Sequence, residues 1–346
     1  MFGKKSFQIA GIIGFISILL LTGCKEKSEE VKEQKYIGVA CYNQADVYLN
    51  ELLDCFKEEC GEQDMIVTIR DAAGSQRTQN DQIQEMISEG CDLLCVNLAD
   101  RTDPSEIIDM VRENDVPVIF FNREPVTEDL MQWDKLYYVG ADAKQSGIMQ
   151  GELAADMIRE EPSVDKNQDG KVQYVILEGE SGHQDAIIRT ETAVDTMKER
   201  GIALERLNYG IANWNRVQAK HRMIQMLEQY PKNIEVVLAN NDEMALGAID
   251  AYDELGYTNE ERPLFFGVDG TDAGLRSVKE GKLSATVYND KEGQAKSMAD
   301  LACALIERKG IEKIEFEKGR YVYLPYAKVT EENVEDFLSK KTESNP

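Results

Sequence analysis

From residue 36 onward, short apolar runs alternate with segments of helical period, and this alternation restricts the chain to folds built on parallel sheets. The runs at 36–41, 65–69, 93–98, 117–121, 136–139, 172–177, 235–239, 264–268 and 283–288 read as strands. Between them, 47–60, 76–88, 104–113, 146–160, 189–200, 217–229 and 242–254 read as helices. Parallel neighbours require long crossovers, and helices in those crossovers cover both faces of a sheet. The strands are too many for one compact sheet, and the pattern restarts after Gly140-Ala141-Asp142. The expectation is an α/β protein with two Rossmann-like domains side by side. Ligands of open parallel sheets collect beyond the carboxyl ends of the strands, so the residues that follow the strands are the place to look for function.

Ahead of this pattern, Lys4 and Lys5 precede an apolar stretch from Phe7 to Leu21 that ends in Leu21-Thr22-Gly23-Cys24. A charged start, an apolar run too short for a comfortable membrane span and small residues before a cleavage point describe an export signal. The pattern resembles a bacterial lipoprotein signal, which implies removal of residues 1–23, lipid on Cys24 and a polar tether over 24–35. The globular part would then lie outside the cytoplasm, anchored to the cell membrane. Loss of 1–23 moves the formal charge from −25 to −27, because two lysines and no acid leave. So acidic a body repels phosphate backbones, which argues against nucleic acid as a partner. Cys41, Cys55, Cys60, Cys91, Cys95 and Cys303 show no metal-type spacing. A disulfide from Cys55 or Cys60 to Cys91 is open to an exported chain, and spacing does not settle the pairing.

The strand ends carry a concentrated set of polar groups and two large aromatics. Asp46 and Tyr48 follow the first strand, and Asn122-Arg123-Glu124 the fourth. His183, Asp185 and Arg189 follow the strand ending at Leu177; beyond them come Trp214, Asn240-Asn241-Asp242, Asp269 and Asn289. Asp185 and Arg189 are four apart at a helix start and share a face. A loop Asp or Asn taken singly is usually a turn or a helix cap. Together these groups suit a neutral polyhydroxylated ligand: carboxylates accept from hydroxyls, amides give and accept, arginine donates in a planar fork, and rings cover C–H faces.

A second pattern lies at Asp165-Lys-Asn167-Gln-Asp169-Gly170-Lys171-Val-Gln173, which sets oxygen side chains at positions 1, 3, 5 and 9 of a calcium loop and glycine at 6. Lys171 would lend only its carbonyl. Position 12, where an EF-hand needs glutamate, is Ile176 in a strand, so a distant acid must complete the site.

Phe120-Phe-Asn122-Arg123-Glu124-Pro125, Gly182-His183-Gln-Asp185, Ala239-Asn-Asn241-Asp242 and Phe266-Gly-Val-Asp269 together resemble the bacterial galactose/glucose-binding proteins, of the periplasmic-binding-protein type I family. The resemblance runs from about residue 36 to 337. It implies a monomeric receptor delivering D-galactose or D-glucose to the permease of an ATP-driven importer, with a possible second role in chemotaxis and with a pentose as the alternative ligand. It implies that Asp46, Asn122, His183, Asp185, Arg189, Asn241, Asp269 and Asn289 hydrogen-bond the sugar, with Arg123 and Glu124 at its edge. Tyr48 and Trp214 would stack on its two faces. Glu235 would be the distant carboxylate of a structural calcium site formed with Asp165, Asn167, Asp169, Lys171 and Gln173. Three crossovers, near 140–143, 289–291 and 325–327, would divide the chain into 36–139 plus 291–324 and 144–288 plus 327–340. The chain departs from the family where Tyr48 replaces Phe and Arg123 replaces Lys. Ser181, His183 and Asp185 are too crowded for a hydrogen-bonded triad, and no nucleophile elbow or phosphate loop is present, so an enzyme is not expected.

Overall fold

The structure is a computed structural model that describes residues 34–343, so the export-signal segment and Cys24 lie outside the described residues. In chain order, the first half begins with β1 (Lys35–Cys41), α1 (Val47–Glu62), β2 (Met65–Asp71), α2 (Gln76–Ser88), β3 (Leu93–Val96) and α3 (Ser105–Glu113). β4 (Val118–Phe121), α4 (Thr127–Leu130) and β5 (Leu136–Ala141) complete its first run. α5 (Ala143–Glu160), β6 (Val172–Glu178), α6 (Gln184–Glu199), β7 (Leu204–Ile211), α7 (Arg216–Gln229), β8 (Val236–Ala239) and α8 (Asp242–Glu254) follow. The chain continues through β9 (Leu264–Phe266), α9 (Asp272–Lys279), β10 (Thr286–Asn289), α10 (Lys291–Glu307), β11 (Tyr321–Leu324), β12 (Tyr326–Val329) and α11 (Val334–Glu343).

Two parallel sheets result. The first runs β11-β5-β4-β3-β1-β2 and the second β7-β6-β8-β9, while β10 and β12 form an antiparallel ribbon. Single bridges from Phe266 to Ala285 and from Asp269 to Tyr288 attach that ribbon to the β9 edge of the second sheet. Alternating side chains fill opposite faces of each strand. In the first sheet Ile37, Val39, Cys95 and Phe121 face a core shared with Leu52, Phe56, Met298 and Leu301 of α1 and α10. Ala40, Leu94, Val96 and Phe120 face the core shared with Ile83, Met86, Ile107 and Val111 of α2 and α3. The same division explains the cysteines. Cys60 belongs to the first core and Cys91 to the second, so the sheet stands between them and they do not form a disulfide. Among the described residues no helix is long and apolar enough to cross a membrane.

Several elements escape the sequence pattern. β7 is a sheet edge whose residues are mostly partly or fully exposed, and its polar composition hides it. β11 and β12 are four residues each and flank Pro325. α6 starts at Gln184 rather than near 189, because His183 caps it.

Close packing of α5 on α6 depends on glycine. A Cβ on Gly147 would come within 1.9 Å of Thr192 Oγ1 and one on Gly151 within 2.4 Å of the Ala193 carbonyl. This approach sets the helix that carries Arg189. Two buried glutamines tie the helices to the functional ends of the sheets. Gln79 Nε2 donates to the Asn97 carbonyl at 2.8 Å, and its Oε1 accepts from Ala99 N at 2.9 Å. Gln150 Nε2 donates to the carbonyls of Ala239 and Gly267 at 2.8 and 3.2 Å. Gln79→Leu leaves a buried carbonyl and a half-buried amide without their partner, so urea denaturation should show a loss of about 1–3 kcal/mol in stability.

Candidate functional site

The carboxyl ends of the two sheets border one polar cavity, lined by Tyr42, Asp46, Tyr48, Asn122, Arg123, His183, Asp185, Arg189, Trp214, Asn241 and Asp269. Ten of the twelve residues expected to hold a ligand are in this wall. Glu124 and Asn289 are not. Glu124, two residues after the left-handed Asn122 (φ 59°), lines a neighbouring cavity with Asp142, Gln145 and Tyr323. Asn289 is buried behind Tyr48, where Gln294 of α10 donates to both the Asn289 Oδ1 (2.6 Å) and the Tyr48 hydroxyl (2.9 Å). The hydroxyl that distinguishes Tyr48 from phenylalanine thus has a protein partner.

Three wall residues are also helix caps. Asp46 accepts from Leu49 N at 3.0 Å at the start of α1, and its other oxygen accepts from the Tyr42 hydroxyl at 2.7 Å. Asn241 accepts from Met244 N at 3.0 Å and donates to the Trp214 carbonyl at 3.3 Å. His183 Nδ1 accepts from Asp185 N at 3.2 Å, which leaves its Nε2–H as a donor. A cap side chain is fixed by its helix, so these groups meet a ligand already oriented.

Charge is concentrated on the second-sheet side. Arg189, buried, donates to the Asn240 carbonyl (2.8 Å) and the Tyr326 hydroxyl (3.1 Å) and lies 3.6 Å from Asp269. Its Nε is buried with no hydrogen-bond partner among the described residues. Burial pushes the Asp269 carboxyl well above the usual range, although Arg189 opposes the shift. Burial also raises Asp185, against the pull of Arg189, Arg123 and Arg101. His183 is driven the other way, down to about 3, by burial and then by Arg123, Arg189 and Arg101. Its ring stands edge-on to Trp214, with centroids 5.2 Å apart. Trp214 itself has a left-handed backbone (φ 60°) and rests on Gly179, where a Cβ would fall within about 2.1 Å of the indole.

Arg123 is spent largely on protein contacts. Its guanidinium covers the Tyr42 ring at 3.5 Å, donates to the Ala99 carbonyl at 3.2 Å, and pairs with Glu180 of the opposite half at 2.9 Å. Tyr42, Gln294 and Glu180 were missed by sequence reasoning. Tyr42 directly follows the first strand and was legible by that position; Gln294, inside a helix, carried no such signal.

The loop at 165–173 draws its side chains together. Asp165 accepts from the amides of Asp169 and Gly170, and Asn167 Oδ1 accepts from Asp169 N. Asp169 Oδ2 accepts from the Asn167 and Gln173 amides at 3.1 and 2.9 Å. Glu235, buried, reaches the loop with both oxygens, which accept from Lys166 N and Gln173 N at 2.7 and 2.8 Å. Gly170 has φ 81°, the conformation a sharp loop requires at that position. Among the described residues no three His, Cys, Asp or Glu side chains group as a ready metal site. The donor set fits a hard cation only if amide oxygens and the Lys171 carbonyl join the carboxylates.

A family model described as "Periplasmic binding protein domain" matches residues 37–310. The D-galactose/methyl-galactoside binding periplasmic protein MglB of Haemophilus influenzae is 34% identical over 310 residues, 87% of this chain and 91% of the relative. A putative rhizopine-binding protein of Rhizobium meliloti is 30% identical, covering 79% and 82%. A solved ABC transporter solute binding protein from Bacillus halodurans with bound myo-inositol superposes with a TM-score of 0.74 at 31% identity, covering 89% of this chain and 98% of that one.

A histidine buried neutral has a definite pH signature. With a folded pKa of about 3 against about 6.5 unfolded, the unfolded chain binds more protons between those values, so His183 stability present above pH 6.5 is lost progressively as pH falls toward 3. The His183 ring, assigned in NMR spectra by substitution, should not titrate above pH 5, and His183→Gln should flatten the fall of melting temperature between pH 6.5 and 4.

Proposed function

Because the chain belongs to the periplasmic binding protein family, whose members bind solutes and do not transform them, we propose that it is the extracytoplasmic receptor of an ATP-driven importer for D-galactose or D-glucose. The observation that carries this reading is the cavity wall itself. Acceptors Asp46, Asp185 and Asp269 and donors His183, Asn122 and Arg189 surround a space flanked by Tyr48 from one half and Trp214 from the other. Such a wall complements the hydroxyl rim and the C–H faces of a pyranose. The buried Arg189 Nε supplies a donor that a sugar oxygen would satisfy. The relative named for D-galactose supports the hexose, and the structure with bound myo-inositol supports a second reading, a cyclic polyol of the same size.

Ligand groups come from both halves, so closure around the sugar would satisfy hydroxyls that an open cleft leaves to water, and ligand would shift a hinge equilibrium toward the closed form. The halves would be 36–139 plus 291–324 and 144–288 plus 327–340, and the closed form would present both to a membrane permease. Lipid on Cys24 would keep the receptor at the membrane. The two wall aromatics and the charged residues suggest a direct test. Calorimetry of the full-length chain should show 1:1 binding of D-galactose or D-glucose, and Trp214→Ala or Asp269→Ala should weaken it roughly tenfold to a hundredfold or more. Binding of myo-inositol or D-ribose in preference to either hexose would move the assignment to that ligand, and no heat from any of the four would refute it.

We also assign the loop at 165–173 with Glu235 a structural calcium ion, held by Asp165, Asn167, Asp169, the Lys171 carbonyl, Gln173 and Glu235. Three carboxylates against a divalent cation give a favourable charge balance for an oxygen cage. Bound to the native state alone, calcium at one hundred times its dissociation constant would add about 2.7 kcal/mol. Chelator should therefore lower the melting temperature, and Glu235→Gln should abolish most of that difference while sparing sugar affinity. Equal melting temperatures with chelator and with calcium would reduce the loop to a turn.

A further inference from the structure

One charge cluster outside the cavity, built around a buried lysine, is unexplained by ligand contact. Lys291, the first residue of α10, is 1% exposed, which is costly for an ammonium unless it is paired. Its Nζ lies 2.5 Å from Glu51 of α1 and 3.2 Å from Asp272 of α9, and 3.5 Å from the Gly270 carbonyl. The Glu51 carboxylate in turn accepts from the Asp272 backbone amide at 3.1 Å. α1 and α10 pack on the first sheet, whereas Gly270 and Asp272 follow β9 on the second. One lysine and one glutamate of the first half therefore hold the start of a helix of the other, one turn of α1 beyond the wall residues Asp46 and Tyr48 and three residues beyond Asp269.

We propose that Glu51, Lys291 and Asp272 form a clasp that holds the two halves in the arrangement that completes the cavity, and so set ligand affinity as positioning residues that do not touch the ligand. The inference rests on the reading of the cavity as a monosaccharide site. Without Lys291, the half-buried carboxylates of Glu51 and Asp272 face each other with no cation between them, and the approach that brings Asp46 and Tyr48 opposite Asp269 becomes unfavourable. Without Glu51, the Asp272 amide and one side of the ammonium lose their acceptor. Glutamine at 51 keeps an acceptor for both donors, while Asp272 still neutralises the lysine.

The test compares the full-length parent with Lys291→Met, Glu51→Leu and Glu51→Gln, in calorimetry and stopped-flow dissociation with D-galactose, D-glucose, myo-inositol and D-ribose, and in small-angle scattering with and without sugar. Lys291→Met and Glu51→Leu should lose about tenfold or more in affinity, chiefly through faster dissociation, with the order of the four ligands unchanged; Glu51→Gln should stay within about threefold of the parent. Both damaging variants should have a larger radius of gyration than the parent, a readout that needs no ligand and so decides the clasp even if all four sugars fail and the cavity is misread. A change in ligand order would place these residues in the binding wall instead and overturn the proposal. Parental affinity in Glu51→Leu, or identical radii in parent and variants in every condition, would also overturn it. If Lys291→Met does not fold, Glu51→Leu and Glu51→Gln carry the same comparison.

Discussion

Arg189 lies buried beside Asp269 in the cavity wall, where protein groups must stand in for the water that its guanidinium gives up. Removing one partner from such a buried pair typically costs about 3–5 kcal/mol, because the other charge is stranded. The guanidinium is therefore supported by the Asn240 carbonyl and by the hydroxyl of Tyr326, a residue that arrives from the far end of the chain on β12. Reaching those partners requires α6 to lie tightly on α5, which Gly147 and Gly151 permit. The pair thus couples helix packing, the ribbon of β10 and β12, and the cavity wall.

The same side chains serve the fold and the site. Asp46, His183 and Asn241 satisfy the orphan amides of three helices and border the cavity with their remaining atoms. Sequence statistics favour the cap for Asp46 and Asn241 but not for His183, and both roles hold at once because helices of open parallel sheets begin where the strands end. Strain is placed there too: Asn122, Trp214 and Asp269 all have positive φ. A non-glycine residue is held in that region only where surrounding contacts over-determine it, and Gly179 beneath the Trp214 ring is one such contact.

Electrostatics divide the cavity from its surroundings. The net charge is strongly negative, yet the wall places Arg123 and Arg189 among Asp46, Asp185 and Asp269, so the pocket is mixed in sign. Burial and the arginines together keep His183 neutral, with its Nδ1 occupied and its Nε2–H left as a donor. A neutral donor beside carboxylate acceptors is matched to hydroxyl groups, and poorly matched to a phosphate or an ammonium.

The sequence by itself determined the class of the fold and most of the cavity wall. Apolar runs with helical segments between them dictate parallel sheets, the run at 283–288 alone joining an antiparallel ribbon as β10, and parallel sheets dictate where ligands meet the chain, so Asp46, Asn122, Asp185 and Asp269 were legible from position alone. The tertiary structure decided what position cannot. Glu124 lines a neighbouring cavity, and Asn289 is buried where Gln294, five residues later on a helix, engages its side-chain carbonyl. Cys60 and Cys91 are kept apart by a sheet whose two faces no spacing reveals. Tyr326, Gln294 and the contact between Glu51 and Lys291, 240 residues apart, unite elements distant in sequence. Such pairings arise only when the two halves pack, because side-chain chemistry fixes what a residue can bind and the fold alone fixes what it can reach.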